Sequence, residues 1–179
     1  MNILTILIAI LLSITSYSEA FASNNKLPAS VFEYILKQEV DCRPDNSSKQ
    51  QLMKTKADEI VKRADLNADG ITDFMFFDDD IYCEMGASFR NGNGGVGVVI
   101  FVGTKDGNAK LAFEKTVYDA RIEKVNSKNI VWLTVGGAYC GQKNFKSRSD
   151  AIACERPLVW NKSTENFDFA LPSETKFLK

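Results

Sequence analysis

The chain has 179 residues, 45% hydrophobic and 25% charged, with 22 basic against 23 acidic side chains, four Cys and no His. A net charge of −1 gives no electrostatic reason to bind nucleic acid or an anionic membrane. Without His, the Ser-His-Asp and Cys-His nucleophile systems and every His-ligated zinc or haem site are excluded.

Residues Met1–Ala22 read as a secretory signal. Ile3–Leu12 is a nearly unbroken apolar run, closed by polar residues and an Ala20-Phe21-Ala22 site before Ser23. That run is too short to span a bilayer. No Lys or Arg precedes it, which departs from the usual signal pattern. Cleavage after Ala22 leaves 23–179 as one disulfide-bonded, β-rich domain with no further segment of membrane-spanning length. The expected location is periplasmic or secreted. There the even cysteine count has meaning, because an oxidising compartment converts thiols to disulfides. Cys42, Cys83, Cys140 and Cys154 contain no C-x-x-C pair, which argues against a zinc ribbon or a thioredoxin-type site. Three pairings are possible, and Cys42–Cys83 with Cys140–Cys154 is preferred because each bridge then closes one half of the chain. Such loops stabilise by about 4 and about 3 kcal/mol in the chain-entropy description.

Ser30-Val31-Phe32-Glu33 fits a capping box, followed by the apolar Tyr34, Ile35 and Leu36, and predicts a short helix over 30–39. Asp41–Ser48 is a turn-rich loop. Ser48–Gln51 offers the cap of a second, more polar helix, after which Glu59–Ala64 becomes extended. From Ile71 onward the pattern is a β-meander, with strands over Ile71–Phe77, Val96–Val102, Leu111–Phe113, Val117–Ile122 and Ile130–Val135. Lys105-Asp106-Gly107-Asn108 supplies a hairpin turn, and Pro157–Trp160 with Phe167–Ala170 forms a terminal hairpin. The glycine-rich stretch Asn91–Gly97 lacks the strand–loop–helix order of a phosphate loop and reads as a mobile turn. No repeat is present. The expected class is α+β, mostly β: an antiparallel meander sheet or half-barrel with one or two N-terminal helices.

Asp65-Leu66-Asn67-Ala68-Asp69-Gly70-Ile71-Thr72-Asp73 is the chemically informative segment. Oxygen side chains at loop positions one, three, five and nine, a Gly at six and a carbonyl at seven suit a hard cation. The expected calcium ligands are Asp65, Asn67, Asp69, the Ile71 carbonyl and Asp73. An acidic β-turn without a metal is the plainer alternative, since Asp, Asn and Gly are common turn residues. Phe76 stands where an EF-hand places its bidentate Glu, so the affinity expected is weak, roughly 10⁻⁴–10⁻³ M. The triplet Asp78-Asp79-Asp80 beyond the next strand either adds a ligand or is simply a solvated loop.

Over these nine to fourteen residues the segment resembles the calcium loops of dockerin-type and FG-GAP repeats, in which D-x-N-x-D-G-x-x-D leads from one strand to the next. Over roughly residues 60–170 the order of features also resembles a group of exported bacterial proteins with no assigned activity. These combine one such loop, a following Cys, a meander and a closing Cys…Leu-x-Trp element, here Cys154, Leu158 and Trp160. The chain departs from that group in lacking extra Cys near Asn91–Gly95. The resemblance implies a scaffold and a compartment, and no activity.

Three functions follow as expectations. The first is a non-catalytic module with a structural calcium, binding a protein or envelope component. The second is an inhibitor or immunity protein that blocks a cell-wall-degrading or membrane-attacking enzyme, with Arg90, Asn91 and Asn93 in the blocking loop. The third is a carboxylate-based glycosidase using two of Asp73, Asp78, Asp79, Asp80 and Glu84, which requires a pair about 5–9.5 Å apart across a cleft.

Overall fold

Residues 27–44, 54–86 and 91–178 are described by a computed structural model. The segment read as a signal, the expected Ser48–Gln51 cap and Arg90 lie outside the described residues. Helix α1 spans Ala29–Asp41 and a single turn, α2, spans Ala57–Ile60. The strands are β1 Lys62–Ala64, β2 Asp73–Phe77, β3 Val96–Gly103, β4 Ala109–Val117, β5 Asp119–Val125, β6 Lys128–Gly136, β7 Ala153–Asn161, β8 Asn166–Phe169 and β9 Lys176–Phe177. The α+β, mostly-β class is as expected. No described helix is long and apolar enough to cross a membrane.

The expected helix is present but not its expected cap. Pro28 occupies the N-cap, and its carbonyl accepts the amide protons of Val31 and Phe32 at 3.1 Å. Ser30 is therefore inside the first turn. Its hydroxyl leaves the helix end and donates to the Ala109 carbonyl at 2.6 Å, with Asn108 Oδ1 also within 2.9 Å. A tertiary contact to the start of β4 has replaced the local capping box.

The meander divides into two antiparallel sheets, β1-β2-β3-β4 and β5-β6-β7-β8 with β9 also on β7. Division occurs at Tyr118, the single residue between β4 and β5. Val117 still pairs with Val96 of the first sheet, whereas the Tyr118 amide donates to the Thr134 carbonyl of the second at 2.8 Å. One bent strand thus feeds both sheets.

Three layers result, and the central one explains the apolar run Val96–Val102. Val98, Ile100 and Val102 of β3 pack with Met75, Leu133 and Val135 between the sheets. The alternate residues Val99 and Phe101 pack with Phe74, Phe76, Val31 and Ile35 beneath α1. A strand buried on both faces has no polar alternation to show. Tyr34 adds its ring edge-on to Phe76 and Phe101.

Both preferred disulfides are present. Cys42–Cys83 joins the end of α1 to the segment after β2, and Cys140–Cys154 lies within the second half.

Candidate functional site

The segment Asp65–Thr72 connects β1 to β2 as a compact acidic turn. Its geometry begins with Gly70, whose φ of +83° permits the bend, and Ala68 also takes a positive φ of 61°. Asp65 accepts the amide protons of Asp69 and Gly70 at 3.2 and 3.0 Å. Asn67 Oδ1 also accepts from the Asp69 amide, and Asp69 Oδ1 from the Ile71 amide. The Asn67 side-chain amide donates to Asp69 Oδ2 at 3.0 Å. Asn129 of β6 reaches across and donates to the Asp65 carbonyl at 3.0 Å. The turn is thereby anchored to the second sheet as well as the first.

Asp73 belongs to a different environment. It opens β2 with no exposed surface. One carboxylate oxygen accepts from the amides of Leu66 and Asn67, and the other from the amide of Gly103 on β3 at 2.9 Å. Burial pushes its pKa up to about 6; the nearby Asp69 charge pushes the same way, and the three amides pull against both. Asp73 closes the turn on its own backbone and ties it to the neighbouring strand.

The structure therefore brings Asp65, Asn67 and Asp69 together on one turn and sets Asp73 beneath it. Among the described residues, no three acidic or Cys side chains are gathered around a common point as a metal cage. The donors are nevertheless of the hard-oxygen type. A carboxylate oxygen has two lone pairs, and those of Asp65 each accept one amide proton. The Ile71 carbonyl completes the set of oxygens on the turn. By donor chemistry these residues suit calcium, with the amide bonds sharing the oxygens.

The second acidic cluster differs from the solvated-loop reading at its first residue. The Asp78 carboxylate, half-buried, accepts from the Asn91 side-chain amide at 2.9 and 3.0 Å and from the Gly97 amide at 2.8 Å. A Cβ at Gly97 would collide with that carboxylate, so the approach requires glycine there. Burial raises the Asp78 pKa, a contact with Asp79 adds to the rise, and the bonds to Asn91 and Gly97 oppose it. Asp80 is raised by burial too, with Lys62 opposing. Asn91 also reaches Asp79 and accepts from the Thr116 hydroxyl. The expected mobile turn is thus a 3₁₀ turn over Gly92–Gly94, moored at Asn91. Arg90 and the Asn93 side chain lie outside the described residues.

Sequence reasoning missed a third carboxylate. Glu39, with no exposed surface, accepts from the Lys54 and Thr55 amides, the Thr55 hydroxyl at 2.6 Å and Arg43 at 3.0 Å. The Tyr82 amide then donates to the same Thr55 hydroxyl oxygen at 2.9 Å. Burial works against the charge, but the hydroxyl, the amides and Arg43 outweigh it and hold the Glu39 carboxyl below its ordinary value. The available signal was spacing: Val31, Ile35 and Glu39 follow one another at four-residue intervals on the buried stripe.

Two grooves flank the acidic turn. One, of about 690 Å³, lies where β6 and β7 separate beyond the Trp132–Pro157 pair and is walled by Trp132, Trp160 and Asn129. The other, of about 670 Å³, is lined by Asp69, Trp160, Lys110 and Lys162. Asn67, Ala68, Lys128 and Trp160 line both. Compared with known proteins, the chain matches no family model, no curated protein and no solved structure.

Proposed function

We propose that the chain is an exported, non-catalytic module that acts by binding a protein or envelope component, with one structural calcium on the Asp65–Asp73 turn. The observation that carries this reading is the grouping of Asp65, Asn67 and Asp69 on a single strand-to-strand turn, anchored to both sheets. Calcium would neutralise acids that are otherwise held by amide protons alone. The two disulfides fit an oxidising compartment. Asp73 and Asp78, two of the five acids from which a glycosidase would draw its pair, serve as acceptors for backbone amides, which favours the non-catalytic reading.

The test is thermal unfolding of the protein purified without its leader, in calcium and in chelator. At a calcium concentration 100-fold above the dissociation constant, ligation of the native state alone adds about 2.7 kcal/mol. Asp69→Ala should remove the difference and leave a folded protein, since the disulfides and both core clusters are untouched. Identical melts of the parent protein in the two conditions would reduce the segment to an acidic turn.

A further inference from the structure

The two grooves share a wall, and that wall is aromatic. Trp160 lines both, and Trp132 lines the larger; they are the only tryptophans in the chain. Trp160 is partly exposed and braced edge-on by Phe167 at 5.1 Å between ring centroids. Trp132 is nearly covered, with the Lys176 ammonium 3.7 Å from its ring centroid. Its indole N–H is buried and has no acceptor among the described residues.

The polar groups narrow the ligand class. In the smaller groove Lys110, Lys128 and Lys162 are offset by Asp69 and Glu165, with Lys110 paired to Glu165. In the larger one Lys128 is offset by Asp65 and Glu174. Charges of both signs at near balance give no field to attract a polyanion or a polycation. What remains is a run of hydrogen-bonding side chains, amide, carboxylate and ammonium, on either side of an indole face. That combination suits a ligand with hydroxyls around its rim and polarised C–H groups on its flat face, which the negative face of an aromatic ring attracts. Each groove is of ordinary size for a small-molecule site, and their common wall lets one extended ligand occupy both.

We propose that the two grooves form one site for a neutral polysaccharide strand, seated on the Trp160 ring beside the Asp65–Asp69 turn. This names the envelope component and rests on the binding role proposed above, but it does not require the calcium.

Because both tryptophans line the site, tryptophan fluorescence reports on it. The protein should be titrated with two neutral probes, N-acetylated chitotetraose and cellotetraose, in calcium and in chelator. A saturable change with at least one probe is expected, weakened about ten-fold by Trp160→Ala. Trp160→Phe, which keeps an aromatic face, should bind within a few-fold of the parent. If Trp160→Ala fails to fold by circular dichroism, Lys128→Ala decides, since Lys128 is exposed and lines both grooves; several-fold weakening is expected, read by Trp160 itself. No saturable change with either glycan would overturn the proposal. So would glycan binding that both Trp160→Ala and Lys128→Ala leave undiminished, or binding of a charged peptide with both glycans silent, which would assign the grooves to a protein partner. Glycan binding that is equal in calcium and chelator removes calcium from the site and leaves the polysaccharide reading intact. Calcium-dependent melting with silent glycans does the reverse.

Discussion

Glu39 and Asp73 are both fully buried carboxylates that gather backbone amides from separate segments, yet their protonation is driven in opposite directions. Glu39 has Arg43 and the Thr55 hydroxyl beside it and stays below its ordinary pKa. Asp73 has three amides, no cation within its cage, and another acid nearby, and is pushed up to about 6. At Glu39 the Thr55 hydroxyl, the Lys54 and Thr55 amides and, last, Arg43 together outweigh burial, whereas at Asp73 three amides do not. The contrast separates a carboxylate held ionised by its neighbours from one whose burial is only partly offset.

The sharpest way to break the comparison is to delete each carboxylate. Glu39→Ala removes the ion pair with Arg43 and the acceptor for two amides and a hydroxyl in a buried setting, and should cost about 3–5 kcal/mol in urea unfolding. Asp73→Ala strands amides only and should cost less, about 1–3 kcal/mol. An equal loss would remove the distinction. Next come the bridges: replacing Cys42 and Cys83 by Ser should cost about 4 kcal/mol, and Cys140 with Cys154 about 3 kcal/mol, less any strain relieved.

The pH dependence should differ in sign. The Glu39 pKa is depressed on folding, so its stabilisation is present above its ordinary pKa and is lost as pH falls through the folded value. The Asp73 pKa rises from 3.8 to about 6 on folding, so its contribution is fully present below the ordinary value and is lost as pH climbs to about 6. A rise of that size corresponds to about 3 kcal/mol. Urea midpoints of Glu39→Gln and Asp73→Asn between pH 3 and pH 7, measured in chelator, should each lack the parent's corresponding slope. An unchanged profile in either variant would remove that residue from the account. The smallest effect belongs to Asn129→Ala, which loses one bond to the Asp65 carbonyl and should cost about 1 kcal/mol by the same measurement.

Local features were the legible ones. The β3 run, the Asp106-Gly107 turn and the acidic turn could be read from residues close in sequence, and both disulfide pairings from the preference for bridges that each close one half of the chain. The Ser30 capping box failed because a carbonyl on β4, almost eighty residues away, competed for the same hydroxyl. Asp78 looked like a solvated acid because nothing in its neighbourhood announces that Gly97 will approach its carboxylate. The division into two sheets turns on Tyr118, which carries no bend signal such as Gly or Pro. The grooves were the least accessible, being assembled from Asn67, Lys128 and Trp160, which only the meander brings together.

The passage of a single strand through Tyr118 has a consequence for how the molecule is made. Everything in the helix layer and the first sheet precedes Tyr118, and everything in the second sheet follows it. A chain emerging N-terminus first therefore completes β1–β4 and brings Cys42 to Cys83 before Cys140 has appeared. Pairing in order of arrival gives the two observed bridges without a crossed pair. Until β5–β8 arrive, however, the inner face of the first sheet, with Met75, Val98 and Ile100, stands uncovered. That interval is when a holding chaperone has most to protect.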